Sequence, residues 1–75
     1  MPYVAVKMYP KDEETRKKLA EKLCETVMEV TGCPAEAVTV SLEEVAPEDW
    51  VATVKEPEIL AHMDKMMIVG GKKQY

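Results

Sequence analysis

Between Tyr3 and Tyr9 the chain alternates, with Val4, Val6 and Met8 on one side and Tyr3, Ala5, Lys7 and Tyr9 on the other. Successive strand side chains point to opposite faces, and β-branched and aromatic residues favour that state, so 3–9 reads as a strand. Pro10 and Lys11 end the pattern. Asp12 then offers a helix N-cap, and Glu13 and Glu14 suit the positive end of a helix dipole. Leu19, Leu23, Val27 and Val30 recur at helical spacing, widened by Ala20 and Cys24, while Arg16, Lys17, Glu21, Lys22, Glu25 and Glu29 form the opposite, solvated face. The helix should run to Thr31 and stop at Gly32. A second alternation, with Val38, Val40 and Leu42 against Thr39, Ser41 and Glu43, predicts a strand over 38–45.

Strand, long helix, strand is a βαβ unit, so its two strands should lie parallel. Two strands and one helix cannot close a core, and another copy must complete the sheet. Beyond a turn at Pro47–Trp50, Pro57 suits the first turn of a second helix running to about Met67. Ile59, Leu60, Met63, Met66 and Met67 give that helix an apolar side, and Gly70-Gly71 ends it before a polar tail. The expected fold class is α/β: one domain, 1–75, a parallel β-α-β protomer with a C-terminal helix, pairing into a four-stranded sheet in a dimer. A hexamer is the alternative assembly.

Length sharpens that expectation. A chain of 75 residues buries only about 60% of its unfolded surface, and domains this small usually recruit disulfides, a metal or a partner subunit. Two cysteines and one histidine leave little for the first two routes. With Cys24 on the predicted helix and Cys33 just past its end, the two stand about 12 Å apart along the axis, beyond the roughly 7 Å between Cα atoms that a disulfide allows. Free thiols, with no signal-peptide pattern and no apolar run of spanning length, point to the cytoplasm and away from a membrane. Net charge is −4, and no basic cluster exceeds Arg16-Lys17-Lys18, so nucleic acid is not an expected partner.

Most catalytic signatures are missing. There is no nucleophile elbow, P-loop or paired Cys/His spacing, and His62 stands alone, so neither metal nor cofactor is expected. Glu43 and Glu44 are adjacent on a strand and face opposite sides. What remains is the start, Met1-Pro2. Removing Met1 would expose a secondary amine at the head of a strand. An α-amino group has an ordinary pKa of about 7.7–8.0, which partial burial or nearby cations lower. Proton transfer favours a base of that strength.

The stretch MPYVAVKMYPKDEETRKKLAEKLCETVMEVTGCPAEAVTVSLEEVAPEDW resembles the 4-oxalocrotonate tautomerase family in its Met-Pro start, its β-α-β pattern and its aromatic at Trp50. The remainder, with PEDWVATVKEPEI, is more similar to the longer phenylenolpyruvate-tautomerase branch. The resemblance implies a cofactor-free keto–enol tautomerase with Pro2 as the proton-transferring residue. It also implies that Lys11 stands near the place of an arginine that holds a substrate carboxylate. Thr39 stands where the shortest members carry a second arginine, and Trp50 where an aromatic lines the pocket. Arg16 is the chain's one arginine, within the helix rather than in the loop. A lysine is a point charge rather than a planar fork, so a monocarboxylate enol with an apolar or aryl end fits better than a dicarboxylate. The competing reading is a non-catalytic oligomeric or ligand-binding module on the same fold.

Overall fold

A computed structural model describes residues 1–75. The chain divides into two compact units, 1–45 and 46–75. In the first, β1 (Tyr3–Met8) is followed by α1 (Glu13–Thr31), a single 3₁₀ turn at Ala35–Ala37 and β2 (Thr39–Glu44). The strands pair in parallel, with Tyr3 opposite Thr39 and Met8 opposite Glu44. The ladder continues one step at each end: Thr39 N–H donates to the Pro2 carbonyl at 3.1 Å, and Val45 N–H to the Met8 carbonyl at 2.8 Å.

Both helix ends are set by the residues that the pattern singled out. The Asp12 carboxylate accepts from the Thr15 N–H at 3.1 Å and from its hydroxyl at 2.6 Å, satisfying a donor that the first helical turn leaves open. Gly32 takes a left-handed φ of 78° and donates its N–H to the Met28 carbonyl at 2.9 Å, a geometry that costs a glycine little.

Leu19, Ala20, Leu23, Cys24, Val27 and Met28 are half-buried. Val30, expected on the same stripe, is instead 79% exposed. Nineteen helical residues rise about 28 Å, whereas six strand residues span about 20 Å, so the last helical turn overhangs the sheet. Arg16 departs the other way. Expected on the solvated face, it is half-buried because it turns toward Glu44. Val45 is the one buried residue of this unit, at 6% exposure. The Cys24 and Cys33 thiols are free.

The second unit is less regular. A 3₁₀ turn at Pro47–Asp49 leads through Trp50 into a π-helical segment, Val51–Ile59, then a 3₁₀ segment, Leu60–Lys65. The helical backbone thus begins before Pro57 and stops short of Met67, and Pro57 lies inside it. An internal proline removes an N–H and crowds the carbonyl four residues back. The wider turn absorbs this: Leu60 N–H bonds the Lys55 carbonyl, five residues back, as well as that of Glu56. His62 then leaves helical geometry at φ −132° and ψ 38°. The expected polar tail is a short antiparallel hairpin, β3 (Ile68–Val69) with β4 (Lys72–Lys73). Gly70 and Gly71 turn it at φ 55° and 81°, and two positive φ values are what a tight hairpin turn with the strands' own twist requires. Val54, at 4% exposure, is this unit's buried residue.

Candidate active site

Four residues, Pro2, Lys11, Thr39 and Trp50, carry the expected chemistry, and the strand register separates them. Pro2 and Thr39 belong together: the bond from Thr39 N–H to the Pro2 carbonyl fixes both at the amino ends of the parallel strands. Pro2 is half-buried and the preceding Met1 is 98% exposed. Beside them the Tyr3 and Ser41 hydroxyls share a hydrogen bond of 3.1 Å.

Lys11 lies at the other end. Its N–H donates to Glu44 Oε2 at 2.8 Å, and Glu44 ends β2 opposite Met8. From Pro2 to Met8 is six residues, which at strand rise is about 20 Å. The four-carbon stem of a lysine covers well under half of that. Pro2 and Lys11 of one protomer therefore cannot touch the same small substrate. Trp50 opens the π-helical segment of the second unit and is half-buried.

Around Lys11 the structure gathers groups that the sequence pattern named separately but did not bring together. Arg16 Nε stands 3.6 Å from the Glu44 oxygen that takes the Lys11 N–H. That nitrogen is shielded from solvent and makes no hydrogen bond, so the pairing is coulombic, although the two side chains as a whole are 37% and 32% exposed. A usable signal existed. In a parallel βαβ unit the helix runs back along the sheet, so its first turn and the end of the second strand share one edge. Glu44 also lies on the α1 side of the sheet, as its contact with Arg16 shows, while Glu43 sits in register with Lys7. The neighbouring Asp12 carboxyl is held below its ordinary range, first by the Thr15 hydroxyl and then by the Thr15 N–H.

No group of three or more His, Cys, Asp or Glu side chains is placed to hold a metal ion. No helix is long and apolar enough to cross a membrane.

Residues 2–58 match the family model described as tautomerase enzyme. A probable tautomerase of Bacillus cereus is 49% identical over 51 residues, covering 67% of this chain and 84% of the relative. Tautomerase PptA of Cronobacter sakazakii is 31% identical over 68 residues, covering 88% of this chain and 90% of the relative. Among solved structures, TomN, a 4-oxalocrotonate tautomerase homologue in the tomaymycin biosynthetic pathway, superposes with a TM-score of 0.63 at 27% identity. That match covers 96% of this chain and 86% of TomN. These matches favour a catalyst over a non-catalytic module on the same scaffold, and with the parallel β-α-β unit they establish the chain as a member of the 4-oxalocrotonate tautomerase family, a tautomerase and hence an isomerase.

Proposed function

We propose that the chain catalyses cofactor-independent keto–enol tautomerisation of a small monocarboxylate enol, such as an aryl enolpyruvate, with the Pro2 amine as general acid and base. The observation that carries this reading is the position of Pro2. It is half-buried at the head of β1, held there through its carbonyl, and preceded by a residue that is 98% exposed and so open to removal. Once Met1 is gone, the neutral amine takes the enol hydroxyl proton and the resulting ammonium returns one to the carbon of the enol double bond. The net change is one proton moved from oxygen to carbon, with no electron donor or acceptor needed. While Met1 is attached, the same nitrogen is a tertiary amide with no basicity near neutral pH.

Lys11 binds the substrate carboxylate, Thr39 borders the reacting end beside Pro2, and Trp50 shapes the apolar end. Thr39 brings no charge where a second cation would be needed for a dicarboxylate, which favours the monocarboxylate. Because Lys11 and Pro2 lie about 20 Å apart along one strand pair, the carboxylate-binding lysine comes from a second copy. That requirement agrees with a chain holding only two buried side chains and many exposed apolar ones, among them Met63, Met67 and Ile68. The sheet face away from α1, with Tyr3, Ala5 and Lys7 beside Thr39, Ser41 and Glu43, is exposed apart from Lys7 and largely polar. This favours a homodimer over a hexamer that would bury that face. Residues 1–75 serve as one functional domain, working in the cytoplasm, where its thiols stay reduced.

The test compares two preparations verified by intact mass, one with Met1 cleaved and one retaining it. Retention should lower kcat/KM by about 10²–10⁴-fold, the usual share of acid–base catalysis. In the cleaved enzyme kcat/KM should rise with pH through one ionisation at or below that of an ordinary α-amino group. Full activity with Met1 retained would end the Pro2 mechanism.

A further inference from the structure

We infer that Glu44 is a positioning residue for substrate binding: it fixes the backbone of Lys11, and through it the direction of the lysine ammonium. Three observations meet at its carboxylate. Oε2 accepts the Lys11 N–H at 2.8 Å across the gap between the end of β2 and the loop after β1. The strand ladder carries on past Glu44, with Val45 N–H on the Met8 carbonyl at 2.8 Å, so the base of the Glu44 side chain is itself held. Arg16 Nε lies 3.6 Å from the same oxygen.

These contacts hold Lys11 from both sides. Asp12, the next residue, is locked as the N-cap of α1 through Thr15, and Glu44 locks the amide on the other side. Without Glu44 the Lys11 amide itself would be unanchored between the Met8 carbonyl in the strand ladder upstream and the Asp12 cap downstream, and the long Lys11 side chain, itself exposed, would sweep a wider volume. Productive binding by a flexible lysine requires that freedom to be given up each time a carboxylate is bound.

A carboxylate so close to a carboxylate-binding lysine would repel the substrate if unbalanced. Arg16 supplies the balance: its guanidinium offsets the Glu44 carboxylate beside the Lys11 amide. The partly exposed pairing contributes little to stability by itself. Its effect is on charge at the place where the substrate anion arrives.

This proposal rests on the reading of Lys11 as the carboxylate-binding group, and the experiment separates the two. KM and kcat are measured on phenylenolpyruvate and on its methyl ester, in Met1-cleaved protein, for Glu44→Ala, Glu44→Gln and Glu44→Asp, each alone and with Lys11→Ala. Glu44→Ala should raise KM for the acid about tenfold, with kcat within about twofold and the ester almost unaffected. Glu44→Gln keeps an acceptor of the same reach and should recover most of that loss, whereas Glu44→Asp keeps the charge but withdraws it by one methylene and should resemble Glu44→Ala. In the Lys11→Ala background all three should change nothing further, the non-additivity of groups acting through one contact. A ranking by charge, with Glu44→Asp active and Glu44→Gln impaired, would overturn positioning through the Lys11 amide. So would equal losses with and without Lys11, or a normal KM in folded Glu44→Ala protein. An unchanged KM in Lys11→Ala alone would remove Lys11 from the site and take the Glu44 proposal with it. A loss in Lys11→Ala without one in Glu44→Ala would overturn the Glu44 proposal only.

Discussion

The two ends of the parallel strand pair are built differently. At the amino end, Pro2 and Thr39 meet through a single backbone hydrogen bond, with only the hydroxyls of Tyr3 and Ser41 paired close by. At the carboxyl end, charged residues gather around the start of α1: Glu44 takes the Lys11 N–H and faces Arg16, and Asp12 caps the helix through Thr15. One end presents a nitrogen whose basicity depends on a covalent cut, and the other presents fixed charge. A proton-transfer site for a carboxylate substrate needs both, and a six-residue strand keeps them about 20 Å apart. On the proposed mechanism the protomer carries two half-sites, each lacking what the other holds.

Cleavage of Met1 bears on the amino end and carries the largest expected effect. The next bears on the carboxyl end. Lys11→Ala should lower kcat/KM for phenylenolpyruvate by about ten- to a hundred-fold, as expected for a lost charge-assisted contact, and leave the methyl ester nearly unchanged. Steady-state kinetics on the two substrates checks this. Equal losses on both would move Lys11 out of the site and leave the carboxyl end a purely structural cluster.

The smallest effect separates stability from catalysis at that same end. The folded protein holds the Asp12 carboxyl below its ordinary range through Thr15. Its stabilising contribution is therefore complete above the unfolded value, about pH 3.9, and is lost as pH falls through the lower folded value. At neutral pH and fixed protein concentration, Asp12→Ala should lower Tm by about 4–8 °C, the scale of a lost N-cap in a domain of this size. That gap should close on acidification below about pH 4. A gap that persists unchanged in acid would assign the cap to something other than the ionised carboxylate.

How much of this was legible in the sequence differs between the two units for physical reasons. In 1–45, hydrophobic period, cap and stop residues agree, and β1, α1 and β2 fall within a residue of where the pattern puts them. The parallel direction of the two strands follows from the βαβ order, while the register that joins Pro2 to Thr39 is given by the structure. Arg16 was misplaced because a long side chain at the margin of a helix stripe can turn either way, and its direction depends on Glu44, which is distant in sequence. In 46–75 local signals conflict. Pro57 reads as a helix start by its fixed φ, yet it sits inside a widened helix that begins at Val51. Gly70-Gly71 reads equally well as a helix stop and as a hairpin turn, and the flanking Ile68–Val69 and Lys72–Lys73 pairs are too short to show alternation. Trp50 falls at this change of regime, where pattern gives little guide to what a side chain lines.

The claim that half-sites from two copies make one active site has a direct test by subunit mixing. Met1-retaining protein has an intact Lys11 end and a blocked Pro2 end, and Met1-cleaved Lys11→Ala protein has the reverse. Each alone should be strongly impaired on phenylenolpyruvate. Unfolding and refolding a 1:1 mixture of the two should restore activity. In a two-fold dimer half of the random pairs are mixed, and each mixed pair has one intact site of two, so about a quarter of the activity of the cleaved parent should return. Activity that stays at the average of the two separate variants, in a mixture shown by native mass to contain mixed dimers, would contradict a shared site and place Pro2 and its carboxylate-binding group within one chain.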